Sequence, residues 1–223
     1  MQNNYNQKYI IQSDYSGYIW DALLLFNYNN KDYILLSSGK HNEYSKLYEF
    51  KDKTSFVKNI YETNKNQTRY MIPWLYNNNY YIIECCWHKI SIHNIFEDDN
   101  YSNLSKEPEG DHFCGYIYNN NYLCVSDWNN NYIRIWDLIN KTIYKQINYD
   151  ASGGCEIIPW NNKYTIIGCN GCFVIIDIEE EKMIKKINSN SYDLRGLKKI
   201  KMKNLGECLI GSGNGNIIEL FSI

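Results

Sequence analysis

The sequence predicts an all-β chain, a β-propeller of about five four-stranded blades, on three observations. One strand pattern recurs five times at an average period of about 40–46 residues, the spacing of propeller blades. Each copy resolves into short apolar or alternating segments separated by Asn- and Gly-rich turns, as a four-stranded blade requires. Aromatic residues make up 16% of the 223 residues, and 22 of them are tyrosines, a composition that suits strands.

The clearest copy reads YLCVSDWNNNYIRIWD, from Tyr122 to Asp137. Its partners start at Tyr33 (YILLSSGKHNEYSKLYEF), Tyr81 (YIIECCWHKISIHNIF), Tyr164 (YTIIGCNGCFVIIDI) and Cys208 (CLIGSGNGNIIELFSI). A first strand precedes each of them: LLLFNYNN, MIPWLYNNN, GYIYNNN, EIIPWNNK and KIKMKNLGE. These end in Asn-rich or Gly-containing turns, and Asn tolerates the positive φ of a tight hairpin. Pro73 and Pro159 share one column of this strand. Proline cannot donate to a ladder, so the strand must have a free side, which the innermost strand of a blade has.

The second strand carries a small residue in one column: Ser37, Cys85, Ser126, Cys169 and Ser212. Repeated small side chains predict close approach of neighbouring blades. The third strand alternates, with Ile133 and Ile135 on one face and Tyr132, Arg134 and Trp136 on the other, which predicts a half-buried strand. The fourth is more polar, as an outer edge strand should be: SFVKNIYE, YSNLSK, TIYKQIN and MIKKINS.

An Asp-x-x-Gly turn follows the outer strand at Asp150–Gly153 and Asp193–Gly196, and the same turn stands at Asp14–Gly17 after KYIIQS. The N-terminus therefore reads as an outer strand, about residues 8–13, while the C-terminal copy lacks one. Pairing of that N-terminal strand with the C-terminal blade would close a ring and remove two open sheet edges. A single domain over 1–223 is expected, with blades at about 18–62, 68–106, 112–148, 154–189 and 195–223.

The Trp136-Asp137 pair after an Ile-Arg-Ile strand resembles the WD-repeat β-propeller family, as does LIGSGNGNIIELF near the C-terminus. One copy keeps the Trp-Asp pair, and the family's Gly-His dipeptide is absent from all of them. By sequence spacing Trp136 aligns with Phe50, Phe96, Ile176 and Leu220 or Phe221. Of the family's Asp-His-Ser-Trp tetrad, Asp127, Ser126 and Trp136 could supply a partial version. The resemblance implies a non-catalytic scaffold that binds a protein or peptide partner on one face of the propeller. That face carries the loops from the outer strand of one blade to the inner strand of the next: 14–20, 64–70, 107–113, 150–156 and 193–198. Trp20, Arg69, Tyr70, Phe113 and Arg195 are the candidate contact residues, because aromatics and Arg dominate interface energetics. A propeller of this kind would work as a monomer or within a larger complex.

Charge and composition narrow the alternatives. A net charge of −2 with interspersed signs gives no nucleic-acid footprint and no polybasic membrane patch. No apolar run reaches the roughly 18–20 residues of a membrane span. The start MQNNYNQKYIIQ lacks a signal-peptide pattern, so a cytoplasmic protein with reduced thiols is expected, and Cys85, Cys86, Cys124, Cys169 and Cys208 read as small buried hydrophobes.

Other constellations are weak. Cys169-Asn-Gly-Cys172 is a lone pair without the second pair a structural zinc site needs, and its Asn-Gly reads as a hairpin turn. His88 and His93 read as a loop and a surface histidine. Glu109–His112 has no nucleophile beside it, and Gly211–Asn216 lacks the Lys-Ser/Thr ending of a P-loop. Asp193–Gly196 has one Arg where a phosphoinositide-binding propeller would have two. No metal or cofactor is expected. The competing function is a lectin-like propeller that binds carbohydrate, although its loops should then repeat one site. A five-bladed glycosidase would need converging carboxylates, and the candidates Asp21, Glu84 and Glu156 fall in different columns.

Overall fold

Nineteen strands and no helix make up the described part of the chain, a computed structural model covering residues 23–36, 44–50, 54–62, 68–86, 89–97, 101–104, 112–214 and 218–222. The proposed closing strand at 8–13 and Trp20 lie outside the described residues. The strands form five antiparallel sheets, each a meander in chain order. Two compact units divide them: residues 1–68 hold the first sheet, and residues 69–223 hold the other four.

In the first unit the sheet runs β1 (Leu23–Tyr28), β2 (Lys31–Leu36), β3 (Tyr44–Phe50) and β4 (Thr54–Glu62). Asn29 and Asn30 turn the β1–β2 hairpin at φ 50° and 60°, the left-handed pair of a type I′ turn. Phe26 stacks on Tyr33 across it at 5.4 Å. Ile34, Leu36 and Tyr48 are buried together, with Phe50 against them.

The second unit opens with β5 (Thr68–Tyr76), β6 (Asn79–Cys86), β7 (Lys89–Asn94) and β8 (Tyr101–Asn103). Next come β9 (His112–Tyr118), β10 (Tyr122–Asp127), β11 (Tyr132–Asp137) and β12 (Thr142–Asn148). The fourth sheet has β13 (Glu156–Pro159), β14 (Tyr164–Cys169), β15 (Cys172–Asp177) and β16 (Lys182–Asn188). The fifth has β17 (Tyr192–Met202), β18 (Gly206–Asn214) and β19 (Ile218–Ser222), and among the described residues no fourth strand joins it. Asn77-Asn78 and Asn119-Asn120 repeat the left-handed turn of Asn29-Asn30, so the Asn clusters are hairpin chemistry. Pro73 on β5 and Pro159 on β13 are exposed on strands that border their sheets, as a residue without an N–H requires.

First strand packs beside first strand from sheet to sheet, β13 next to β9 and β17 next to β13. Three cores lie between successive sheets. Ile72, Trp74, Ile83 and Cys85 meet Leu123, Val125 and Trp136. Cys124, Ile133 and Ile135 meet Ile157, Ile167, Cys169 and Val174. Ile166 and Phe173 meet Leu194, Leu197 and Leu209. Alternate residues of one strand therefore enter different cores, and each fully buried Leu, Ile or Phe adds about 2 kcal/mol.

This corrects the expectation of a half-buried third strand. In β11 the Ile133/Ile135 face and the Trp136 face are both covered, because the sheet is packed on two sides. The polar outer strands do stand exposed: β12 and β16 bury only Ile147 between them.

Strand pairing also corrects the Trp136 column. Trp136 faces Leu123, the second residue of its repeat copy, and the residues facing the second residue of the other copies (Ile34, Ile82, Thr165 and Leu209) are Tyr48, His93, Ile176 and Phe221. Phe50 and Phe96 fall out of this column because the hairpins between second and third strands differ in length. His93 is accordingly not a surface histidine but is 5% exposed, with Nε2 3.3 Å from Glu84 Oε2. The partial tetrad does not form. Ser126 faces Ile133, three positions along from Trp136, and its hydroxyl donates to Cys114 O at 3.5 Å.

The column after Trp136 has a role of its own. Asp137 Oδ1 accepts the N–H groups of Ile139 and Asn140, each at 2.9 Å. Asp177 accepts those of Glu179 and Glu180 at 3.0 and 2.9 Å, and Asn94 accepts those of Phe96 and Glu97 at 3.1 and 3.4 Å. Each starts the turn into the outer strand, which Lys141 and Glu181 complete at φ 56° in their sheets.

Candidate binding rim

A meander places the hairpin between second and third strands, and the connection from the outer strand to the next sheet, at the same end of the sheet. The described part of this rim comprises residues 128–131, 149–155, 170–171 and 189–196. Backbone hydrogen bonds tie it together. Tyr149 N–H donates to Asn131 O at 2.8 Å, Asn170 N–H to Ser152 O at 2.9 Å, and Ser189 N–H to Gly171 O at 2.9 Å. Cys155 N–H donates to Gly168 O at 2.8 Å, so the connection 149–155 lies along the β14–β15 hairpin.

Small residues make this approach possible. A Cβ on Gly154 would stand 2.5 Å from the Tyr149 hydroxyl and 3.4 Å from Ser126 Cβ, a member of the repeated small column. A Cβ on Gly168 would meet Leu194 O at 2.6 Å, and one on Gly196 would meet Ser212 Oγ at 2.5 Å. Ser126 and Gly168 thus receive the connections to the following sheet, while Gly196 and Ser212 approach each other within one sheet.

Buried and half-buried carboxylates hold the rim's shape. Asp127, 1% exposed, accepts the N–H groups of Asn129 and Asn130 at 3.1 and 3.2 Å. Burial raises its carboxyl above the ordinary range, and the Asn130 and Asn129 donors and Arg134 only partly oppose this. Glu219 on β19 accepts from the Ser189 hydroxyl and from Asn190 N–H at 3.1 Å. Burial opposes its ionisation, but the donors from Ser189 and Asn190 outweigh this and hold its carboxyl below the ordinary range. Asp193, at φ 49°, takes a hydrogen bond from Asn214 Nδ2 at 2.7 Å and lies 3.6 Å from Arg195 Nη2.

The five predicted contact residues separate in the structure. Trp20 lies outside the described residues. Arg69 and Phe113 belong to β5 and β9, whose backbone is described there without their side chains. Tyr70 is also within β5 and packs against two of the inter-sheet cores, so the loops at 64–70 and 107–113 end inside strands. Arg195 stands on the rim with its side chain 58% exposed. It sits in the irregular start of β17, where the pairing with β18 shifts between Tyr192 and Gly196, rather than in a free loop. Two rim aromatics escaped the sequence reading: Tyr192, 71% exposed beside Asp193, and half-buried Trp128 in the β10–β11 hairpin. The boundary of the Asp-x-x-Gly turn hid Tyr192, since the motif starts one residue later.

Of the hydrolase candidates, Glu84 is buried against His93 on β6 and β7, Glu156 opens β13, and Asp21 lies outside the described residues. Among the described residues no three His, Cys, Asp or Glu side chains gather as a metal ion would need.

No protein-family model matches the chain. No curated protein matches it in sequence. In fold it matches 861 chains of solved structures, a likeness too widely shared to single out a function. One is the hydrazine synthase of Kuenenia stuttgartiensis, with a TM-score of 0.55 and 13% identity over 70% of this chain. The chain spans 46% of the length of that protein, and the likeness extends to the fold alone.

Proposed function

We propose that the chain is a five-bladed, WD-repeat-like β-propeller, a non-catalytic cytoplasmic scaffold whose rim binds a peptide or protein partner. The observation that carries this reading is the exposed Tyr192 and Arg195 on a rim otherwise fixed by hydrogen bonds. An aromatic ring and a guanidinium with an adjacent carboxylate, Asp193, offer both apolar area and a directed charge to an extended peptide. Fixing the rim beforehand reduces the ordering cost of binding.

The ring itself rests on complementary ends. Among the described residues the fifth sheet has three strands, and its border strand β19 leaves Ile218 and Leu220 exposed at 73% and 45%. The sequence at 8–13, with its apolar run Tyr9-Ile10-Ile11, reads as an outer strand that would cover that edge.

The connections differ in sequence, Asp150-Ala-Ser-Gly153 against Asp193-Leu-Arg-Gly196, which favours one composite site over repeated sugar sites. The test compares pull-down from a cell extract with a glycan array and a glycosidase screen, using the intact chain and a Tyr192→Ala/Arg195→Ala variant. A partner recovered by the intact chain and lost by the variant supports the scaffold. Glycan binding without protein partners would overturn it.

A further inference from the structure

We propose that Cys169 and Cys172 are a peroxide-responsive dithiol that closes to a cross-strand disulfide at the tip of the β14–β15 hairpin. The two residues face each other directly in the strand register, on either side of Asn170-Gly171. Residues flanking a two-residue hairpin form the hydrogen-bonded pair, with Cα atoms about 5.5 Å apart, inside the range that a disulfide spans. Their side chains leave the same face of the sheet and enter the same core beside Tyr149 and Ala151.

The pair is also chemically divided. The neighbouring Cys169 thiol, helped by the Lys186 ammonium and opposed by burial, holds Cys172 down at about 7. Its partner Cys172 and burial push Cys169 far up. Lys186 is fixed in place by donating to Asp150 O at 2.7 Å. Cys172 is therefore the thiol with substantial thiolate at neutral pH, and thiolate is the reactive form. Burial instead drives Cys85, Cys124 and Cys155 up to about 12.

Burial narrows the choice of oxidant: Cys172 is 3% exposed, which bars direct attack on a protein disulfide and requires a small oxidant. The hairpin tip is open: Asn170 is exposed, and a Cβ on Gly171 would meet nothing within 4 Å. Hydrogen peroxide is the smallest oxidant of this kind, and the exposed tip is the side from which it would arrive.

The chemistry balances in two steps. The Cys172 thiolate attacks one peroxide oxygen and breaks the O–O bond; the departing hydroxide takes a proton and leaves as water, giving a sulfenic acid. The Cys169 sulfur then attacks the Cys172 sulfur, loses its proton and expels the hydroxyl group as a second water. Two thiols are oxidised by two electrons in total, and one peroxide is reduced to two waters.

The test is thiol mapping on the intact folded chain. After brief hydrogen peroxide treatment at pH 7, free thiols are alkylated and peptides read by mass spectrometry, with and without dithiothreitol. Cys169 and Cys172 should be lost from the alkylated pool together, at least about tenfold faster than the other cysteines, and return on reduction. In Cys169→Ser the reaction should stop at a Cys172 sulfenic acid trapped by dimedone. Persistent alkylation of Cys172 in the intact chain, or first oxidation at a different cysteine, would overturn the proposal whatever the variant does.

Discussion

His93 occupies in its sheet the place that Trp136 occupies in the next: His93 faces Ile82 and Trp136 faces Leu123, each one residue past the tyrosine, Tyr81 or Tyr122, that opens its copy of the repeat. Where Trp136 fills that place with apolar area, His93 brings a polar ring to within 3.3 Å of Glu84, both nearly excluded from water. One position of a repeat thus carries two kinds of stabilisation.

Removing one member of this pair should cost more than removing both. His93→Ala leaves the Glu84 carboxylate short of a buried partner, and a loss of about 3 kcal/mol is expected by urea denaturation. The double change Glu84→Leu/His93→Leu should recover most of that loss. A double variant no more stable than the single one would show that the pair does not act as a unit.

The turn carboxylates give a graded series. Asp137→Ala and Asp177→Ala each remove acceptors for two backbone N–H groups and should cost about 1 kcal/mol. Asp137→Asn should cost clearly less, since Asn94 makes the same turn in its own sheet. The Asn140 and Ile139 donors hold the Asp137 carboxyl below its ordinary value. Its stabilisation is therefore fully present above about pH 4 and fades as pH falls through the lower folded-state value. The stability gap between the intact chain and Asp137→Asn should narrow over that interval.

Two glycines should respond differently to alanine. At Gly168 the new methyl would stand 2.6 Å from Leu194 O, and a loss of about 2 kcal/mol is expected. At Gly171 there is open space, but φ is +70°, and about 1 kcal/mol of backbone strain is expected. Thermal melts of the two variants check the order.

Rim variants should separate binding from stability. Tyr192→Ala and Arg195→Ala alter exposed side chains and should leave the melting temperature within a degree or two, while weakening partner capture by at least about tenfold. An equal loss of stability and capture would place these residues in the fold rather than the interface.

Much of the fold was legible in the sequence because its signals are local. The Asn pairs at 29–30, 77–78 and 119–120 announce left-handed hairpins, and the four-segment copies give the four-stranded sheets. The Trp136 column was not legible, because unequal hairpins shift the third strand and only pairing shows that His93 stands there. The burial of both faces of β11 was hidden for a related reason: alternation reports two faces and not what covers them. Tyr192 stands one residue before the Asp-x-x-Gly motif, and Tyr70, which spacing places on the rim, packs against the inter-sheet cores.

Ring closure is tested most directly at β19, by amide hydrogen exchange of the intact chain and of a chain lacking residues 1–13. If residues 8–13 pair with β19, the amides of Ile218–Ser222 that point away from β18 are protected in the intact chain. They lose that protection, and the melting temperature falls, when the segment is removed. Rapid exchange of those amides in the intact chain, with an unchanged melt after truncation, would contradict closure by the N-terminal strand.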